Sequence, residues 1–184
     1  MITIRKARIE DAPAIAELIN HYAMQGLMLP KSLLQVYEQL REFVVAEDED
    51  GTIVGCGALR LMWHDLAEIR SLAVAESAQG QGVGRRLVEA LLDEARELQL
   101  ARVFALTYQV QFFERMGFQV VPMHIFPQKV WLDCKMCPKR NRCDEVAMLL
   151  VLDEERATRA ADETASSLPV SPWQPNLISV EVRT

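Results

Sequence analysis

The chain has 184 residues, half of them apolar, and a net charge of −6, which suits one domain with a sizeable core plus a tail and offers no basic face for nucleic acid. The longest apolar run, residues 146–152, is far below the roughly 20 residues that a membrane-spanning helix needs. The N-terminus begins directly with a strand pattern and lacks the apolar segment of a signal peptide, so we expect a cytoplasmic protein that binds no membrane and no nucleic acid.

The first third of the chain predicts three strands and two helices. The first strand alternates apolar and charged side chains, and the first helix begins with the acidic cap Glu10-Asp11 and with Pro13 in its first turn. Asp50-Gly51 is a strong hairpin turn signal between the second and third strands. The predicted strands cover residues 2–8, 43–47 and 52–62, and the predicted helices cover residues 10–26 and 33–40.

The most informative segment is glycine-rich and joins a predicted strand, residues 68–74, to a predicted amphipathic helix, residues 83–99. Gly80, Gly82 and Gly84 allow positive φ angles and a close approach of the backbone to a ligand. The N–H groups that open the helix point outward, with the positive end of the helix dipole behind them. This combination predicts a pyrophosphate-binding cradle, and the alternative is a glycine-rich turn without a ligand.

The spacing of the glycines excludes two common phosphate loops. A P-loop would end in Gly-Lys-Ser/Thr, whereas Gly84 is followed by Arg85 and Arg86. The dinucleotide fingerprint G-x-G-x-x-G would need a glycine at position 85 and would follow the strand directly. The pattern that fits is Gln/Arg-x-x-Gly-x-Gly/Ala at Gln79, Gly82 and Gly84, and it resembles the acetyl-CoA loop of the GNAT family of N-acetyltransferases.

A second block strengthens this resemblance. A predicted strand over residues 102–107 is followed by a short helix that ends at Gly117, and then by Phe118. The same order of strand, short helix and Gly-Phe pair recurs in GNAT proteins, and the two blocks together cover roughly residues 66–120. The resemblance implies an α/β (α+β) GNAT fold, which is a mixed central sheet with splayed central strands flanked by helices.

The resemblance also implies how acetyl-CoA is bound. The pantetheine arm enters the gap between the two splayed strands and meets backbone groups at the end of the first strand, while the glycine-rich loop holds the diphosphate. The implied coenzyme-binding residues are Leu72, Ala73, Val74, Gln79, Gly80, Gln81, Gly82, Val83, Gly84 and Arg85.

Acetyl transfer to an amine needs a base for the ammonium and a donor for the departing thiolate. Strand alternation places Glu68 and Arg70 on one face, with Ile69 and Ser71 on the other, so Glu68 is a candidate base unless it is a solvated or salt-bridged strand residue. Many GNAT enzymes carry a tyrosine acid in the Gly-Phe helix, where this chain has phenylalanine at position 113. The nearest residues that could replace this tyrosine as the acid are Thr107 and Tyr108, at the end of the preceding strand. The alternative for each is that it only caps the strand.

Four segments narrow the resemblance to the acetyltransferase domain of N-acetylglutamate synthases, over roughly residues 1–152. They are Ala46-Glu47, Gly55-Cys56-Gly57-Ala58-Leu59, Ala67-Glu68-Ile69-Arg70-Ser71-Leu72-Ala73-Val74 and Phe104-Ala105-Leu106-Thr107. This resemblance implies L-glutamate as acceptor, in the opening step of arginine biosynthesis, with Glu68 as general base and Thr107 as the hydroxyl at the catalytic strand end. It implies that Lys31, Arg70 and Ser71 lie near the amino acid. We expect a short, stand-alone form that lacks the amino-acid-kinase-like domain and its arginine-binding site.

An insert over residues 124–145 departs from the acetyltransferase pattern and carries three of the four cysteines. Cys134, Cys137 and Cys143, with His124 as a fourth ligand, resemble a structural zinc set, but a strong zinc signal needs two Cys-x-x-Cys pairs and only one is present. Two alternatives to a metal site remain, a disulfide formed by oxidation in vitro and three free thiols, and no metal is assigned. We expect an acetyltransferase domain over residues 1–152, insert included, and an extension over residues 153–184.

Two rival functions stay open at this point. Within the same fold, the acceptor is another small amine or a protein N-terminus. The second rival belongs to a different functional class: the chain is a non-catalytic sensor that binds acyl-CoA, since a protein can keep the loop and the pocket without catalysing a reaction. The sequence also leaves a homodimer open.

Overall fold

The computed structural model of the chain describes residues 1–126 and 143–166. In these ranges the strands are β1 (Thr3–Lys6), β2 (Phe43–Glu47), β3 (Ile53–Trp63), β4 (Leu66–Val74), β5 (Arg102–Thr107), β6 (Gln119–Val120) and β7 (Val146–Val151). The helices are α1 (Ala12–Met24), α2 (Leu33–Glu38), α3 (Val83–Glu97), α4 (Val110–Arg115) and α5 (Glu154–Ser166). Among these helices, none is both long enough and apolar enough to cross a membrane.

The strands form one mixed sheet in the order β1-β2-β3-β4-β5-β7-β6, in which β4 and β5 are parallel and the other neighbours are antiparallel. Helices cover both faces of the sheet. Along β2, Val44 and Ala46 pack into the core under α3, while Phe43 and Val45 pack with α1 and α2. Because both of its faces are buried, β2 is apolar over its first four residues, 43–46. The mixed, helix-flanked sheet expected from the sequence is confirmed.

The two central strands diverge soon after they begin. The parallel ladder between β4 and β5 has three pairs, of which the last joins Glu68 to Phe104. Beyond that pair β4 continues for six residues to Val74 on one side, and β5 continues to Thr107 on the other. The divergence opens a gap in the middle of the sheet, as the resemblance predicted.

A β-bulge interrupts β4 inside this gap. Ala58 of β3 pairs with Arg70, but Cys56 pairs with Ala73, so two residues of β4 face one residue of β3. Ser71 takes a φ of 53° at the bulge, which is unusual for a residue other than glycine. The alternation expected from the sequence therefore ends at Arg70.

Asp11 lies at the N-cap position of the first helix, as the sequence predicted, but its side chain accepts no hydrogen bond from that helix. Its carboxylate instead accepts hydrogen bonds from the Arg5 guanidinium, at 2.6 and 3.0 Å, and from the Arg8 N–H at 2.7 Å. The Arg5 hydrogen bonds hold the pKa of the Asp11 carboxyl below its usual value. The buried carboxylate thus ties β1 to the start of α1.

Candidate active site

A large cleft of about 1840 Å³ opens where β4 and β5 diverge. Its walls come from the α1–α2 connection, the second half of β4, the glycine-rich loop, the end of β5 and helix α4. Every element that the sequence analysis connected with the coenzyme or the acceptor therefore contributes to one cavity.

The glycine-rich loop presents unpaired amides to this cleft. Gly80 and Gly82 have φ angles of 74° and 76°, and a Cβ atom added to either would meet no heavy atom within 4 Å. The first helical hydrogen bond of α3 runs from the Arg86 N–H to the Gly82 carbonyl, at 3.1 Å. In residues 1–126 and 143–166 the amides of residues 80–85 donate to no acceptor. Such amides at a helix N-terminus fit an anionic group such as a diphosphate.

Gly84 differs from the other two glycines of the loop. It lies in the first turn of α3, and an added Cβ would lie 3.6 Å from Phe112 and 3.7 Å from Val74. This position therefore packs the start of α3 against β4 and α4, and an alanine would fit there in ordinary van der Waals contact.

Gln79 directs its side chain back into the protein. Its Nε2 donates to the Tyr22 hydroxyl at 2.9 Å and to the Val74 carbonyl at 3.2 Å, and the same carbonyl accepts the Tyr22 hydroxyl. The first residue of the loop motif thus fixes the loop to β4 and α1. Of the predicted coenzyme-binding residues all but Gln81 line the cleft, and the Gln81 side chain donates to the Ser77 carbonyl at 3.0 Å. Arg85 lines the cleft and pairs with Glu89 at 2.7 Å on the surface of α3.

Glu68, the predicted base, lies in the cleft. This carboxylate is only 3% exposed and lines the cavity at the last paired position of the parallel ladder. Lys31, Arg70 and Ser71 line the same cleft, and the charges of Arg70 and Glu68 act on Lys31, so the predicted base and the predicted acceptor residues lie in one cavity.

Lys31 is held in place through its backbone and its side chain. Asn20 of α1 accepts from the Lys31 N–H at 3.1 Å and donates to its carbonyl at 2.7 Å. The Lys31 Nζ donates to Gln39 Oε1 at 2.6 Å. Burial, followed by the nearby Arg70 charge, lowers the pKa of Lys31 to about 8. Its charge is therefore sensitive to pH near neutrality.

The two strand-end hydroxyls have different partners. The Thr107 Oγ1 accepts a hydrogen bond from the Gln109 N–H at 2.8 Å, which leaves the hydroxyl proton of this buried residue to point elsewhere. The Tyr108 hydroxyl donates to Asp144 Oδ1 at 2.7 Å. Both residues line the cleft. Phe113, at the position of the expected tyrosine, is buried and packs edge-on against Phe118.

The family model of the Acetyltransferase (GNAT) family matches residues 13–118, more than half of the chain. The chain belongs to this family. An uncharacterized N-acetyltransferase of Chlorobaculum tepidum is 44% identical over 149 residues, which cover 81% of this chain and 96% of that protein. An amino-acid acetyltransferase of Mycobacterium tuberculosis is 49% identical over 117 residues, which cover 62% of this chain and 67% of the relative.

Solved structures agree with this assignment. A Mycobacterium tuberculosis protein crystallised in complex with CoA aligns with a TM-score of 0.71 and 40% identity, over 82% of this acetyltransferase and 99% of that chain. The N-acetylglutamate synthase of Neisseria gonorrhoeae, complexed with coenzyme A and N-acetyl-glutamate, aligns with a TM-score of 0.73 and 30% identity, over 83% of this chain but 35% of the synthase. Family membership makes the chain an acetyl-CoA-dependent acyltransferase.

Two of the three cysteines of the insert, Cys134 and Cys137, lie outside the described residues. Cys143 is exposed and lines the acetyltransferase cleft, with its Sγ 3.9 Å from Glu145 Oε2. Within the described ranges no group of three His, Cys, Asp or Glu side chains is arranged to hold a metal ion. The fourth cysteine, Cys56, is buried in β3, and burial raises the pKa of its thiol to about 12.

Sequence reasoning missed Tyr22, Asn20 and Gln39 as parts of the site. Each acts by holding a predicted residue: Tyr22 contacts Gln79, and the other two contact Lys31. Local sequence carries no signal for the Tyr22 contact, because it joins residues 57 positions apart.

Proposed function

We propose that the chain transfers the acetyl group of acetyl-CoA to the α-amine of L-glutamate, the opening step of arginine biosynthesis. The observation that carries the proposal is a buried carboxylate, Glu68, in one cleft with two cations, Lys31 and Arg70, and a loop of unpaired amides. The similarity to an amino-acid acetyltransferase supports an amino-acid acceptor, and the similarity to an N-acetylglutamate synthase solved with N-acetyl-glutamate supports glutamate.

The coenzyme end of the proposal rests on the glycine-rich loop. Gly80 and residues 82–85 line the cleft at the positive end of α3, and their amides have no acceptor among the described residues, so this end of the cleft suits the diphosphate of CoA. The gap between β4 and β5 leads from this loop towards Glu68, so it offers a path for the pantetheine arm. Backbone groups of Leu72, Ala73 and Val74 form one wall of that path.

The acceptor end rests on charge. Glutamate carries two carboxylates, and Lys31, Arg70 and Ser71 line the same cleft as Glu68 and carry groups that bind carboxylates. A guanidinium binds a carboxylate through two parallel hydrogen bonds, and an ammonium adds a point charge. These side chains suit an anionic amino acid better than a hydrophobic or cationic one.

In the proposed reaction acetyl-CoA supplies an activated acetyl group as its thioester. Glu68 removes one proton from the α-ammonium, directly or through one water, so that the amine becomes a nucleophile. The nitrogen then bonds to the carbonyl carbon of the thioester, the carbon–sulfur bond breaks, and the second proton lost by the nitrogen is taken up by the departing CoA thiolate. The Thr107 hydroxyl, whose oxygen already accepts from Gln109, donates a hydrogen bond towards the departing sulfur. Tyr108 is the second candidate for this donation, but its hydroxyl first has to leave Asp144.

An acceptor panel tests the proposal. Thiol release from acetyl-CoA is measured with L-glutamate, L-glutamine, L-aspartate, unrelated small amines and a peptide with a free N-terminus, for the wild type and Glu68→Gln. We expect the highest kcat/KM with glutamate and loss of turnover in the variant, with CoA affinity retained. Faster turnover of another amine or of the peptide would replace glutamate as the acceptor. CoA binding without turnover of any amine would favour a non-catalytic sensor.

The cytoplasmic location, the homodimer and the division of the chain at residue 152 stay predictions. Cell fractionation tests the location, the mass of the protein in solution tests the homodimer, and limited proteolysis tests the division of the chain.

A further inference from the structure

We propose that Gln39 is a positioning residue of the acceptor site, which holds the Lys31 ammonium and the Arg70 guanidinium side by side without cancelling their charge and so sets the preference for an anionic acceptor. The inference rests on the proposed function and refines its acceptor specificity. Gln39 does not line the cleft, so it acts through the two cations that do.

One oxygen atom makes both contacts. Gln39 Oε1 accepts from Lys31 Nζ at 2.6 Å and from Arg70 Nη2 at 3.0 Å. An amide oxygen has two lone pairs, so a single glutamine can satisfy two cationic donors at once. The two cations come from different elements, the segment before α2 and strand β4, and would repel each other without this shared acceptor.

The backbone of Gln39 is itself fixed. Its N–H donates to the Gln35 carbonyl at 3.2 Å, and its carbonyl accepts from the Glu42 N–H at 2.9 Å. Gln39 thus sits between α2 and the short 3₁₀ helix Leu40–Glu42 that follows. Since Asn20 fixes the Lys31 backbone as well, the amide oxygen and the ammonium meet at a set position.

A neutral residue is needed at this position because of the charges around it. Among the described residues, the groups whose charges act on Lys31 are Arg70, Arg60, Glu42 and Glu68. A carboxylate at position 39 would offset the charges of Lys31 and Arg70 and would compete with the acceptor for both cations.

Glu42 is one of the carboxylates whose charge acts on Lys31. Glu42 is partly buried, and burial raises the pKa of its carboxyl despite the neighbouring Arg70 and Arg60. In the part of the chain that is described, Glu42 Oε2 is buried without a hydrogen-bond partner. Glu42 Oε2 therefore does not replace Gln39 Oε1 as the acceptor for Lys31 and Arg70, both of which line the cleft.

The test compares Gln39→Glu, which adds a charge with little change in shape, with Gln39→Met, which removes the acceptor oxygen. Gln119→Glu, on the exposed edge strand β6, is the matched charge control. Steady-state kinetics are measured with L-glutamate and with its neutral amide L-glutamine, together with the KM for acetyl-CoA as a check that the fold and the coenzyme site are intact.

We expect Gln39→Glu to raise the KM for glutamate about tenfold or more. The new carboxylate would compete with the carboxylates of glutamate for Lys31 and Arg70, and a hydrogen bond to a charged group is worth about this much in affinity. The KM for glutamine should change less, so the preference for glutamate over glutamine shrinks. Gln39→Met should raise the KM for glutamate while keeping more of that preference, and Gln119→Glu should match the wild type. The KM for acetyl-CoA should stay within about twofold in every variant, since the loop is untouched.

A second readout needs no acceptor. The titration of Lys31, followed by NMR of its side chain in the free protein, should move to higher pH in Gln39→Glu and stay in place in Gln119→Glu. An unchanged titration in Gln39→Glu would overturn the inference, as would equal changes in KM for glutamate and glutamine. A wild type that acetylates no glutamate would overturn the proposed function, whereas normal glutamate kinetics in Gln39→Glu would overturn only the role of Gln39.

Discussion

Alanine at two loop glycines should separate the conformational requirement of the loop from its packing. At Gly82 the φ of 76° lies in the left-handed region, where a side chain costs roughly 1–2 kcal/mol. A Cβ there meets no heavy atom within 4 Å, so the backbone conformation is the whole source of that cost. At Gly84 the backbone is helical, and the added methyl group makes ordinary contacts at 3.6 Å and beyond.

We therefore expect opposite effects on stability. Gly82→Ala should lower the melting temperature by about 2–8 °C, at about 2–4 °C per kcal/mol for a chain of this length. Gly84→Ala should leave it unchanged or raise it, because alanine in a helix is favoured over glycine by about 0.5–1 kcal/mol. Thermal unfolding followed by circular dichroism measures both.

The two variants should also differ in coenzyme affinity. If the loop relaxes to relieve the strain at position 82, the amides turn away from the diphosphate, and calorimetry should show a weaker Kd for CoA. Gly84→Ala should bind CoA about as tightly as the wild type. Wild-type affinity in Gly82→Ala, or equal losses of stability in the two variants, would refute this account of the loop.

Three further predictions concern the chemistry of the cleft. Glu68→Gln should lower kcat by roughly 10²–10⁴-fold with the Kd for CoA unchanged, as general base catalysis implies; thiol release at the wild-type rate would exclude Glu68 as the base. Affinity for N-acetylglutamate, a product without a titrating amine, should fall as the pH rises through about 8, because Lys31 is charged below that pKa and neutral above it; a calorimetric profile that is flat from pH 7 to 9 would contradict this. Thr107→Val should slow turnover more than Tyr108→Phe, and the reverse order in steady-state rates would give the donor role to Tyr108.

The sequence predicted those parts of the fold that local patterns determine. Strand alternation, helical periodicity and the Asp50-Gly51 turn located most elements to within a few residues, whereas the gap between β4 and β5 was implied by the resemblance to the GNAT family. These signals are readable because each arises within one segment of chain.

The bulge in β4 and the contacts of the site were not predictable in the same way. Serine carries no signal for the φ of 53° that Ser71 adopts, since the conformation is imposed by pairing with β3. Gln39 reaches Arg70 across 31 positions of sequence. Asp11, predicted as a helix cap, binds Arg5 because β1 lies beside the start of α1, which is a consequence of the fold.

The most direct test of the proposed function is to identify the product. Purified chain is incubated with acetyl-CoA and L-glutamate, and the mixture is analysed by mass spectrometry while thiol release is followed in parallel. The account predicts N-acetylglutamate in an amount equal to the CoA released, and none with Glu68→Gln. The account would be contradicted if CoA were released at the same rate without glutamate. It would also be contradicted if CoA were released with glutamate present but no N-acetylglutamate were formed.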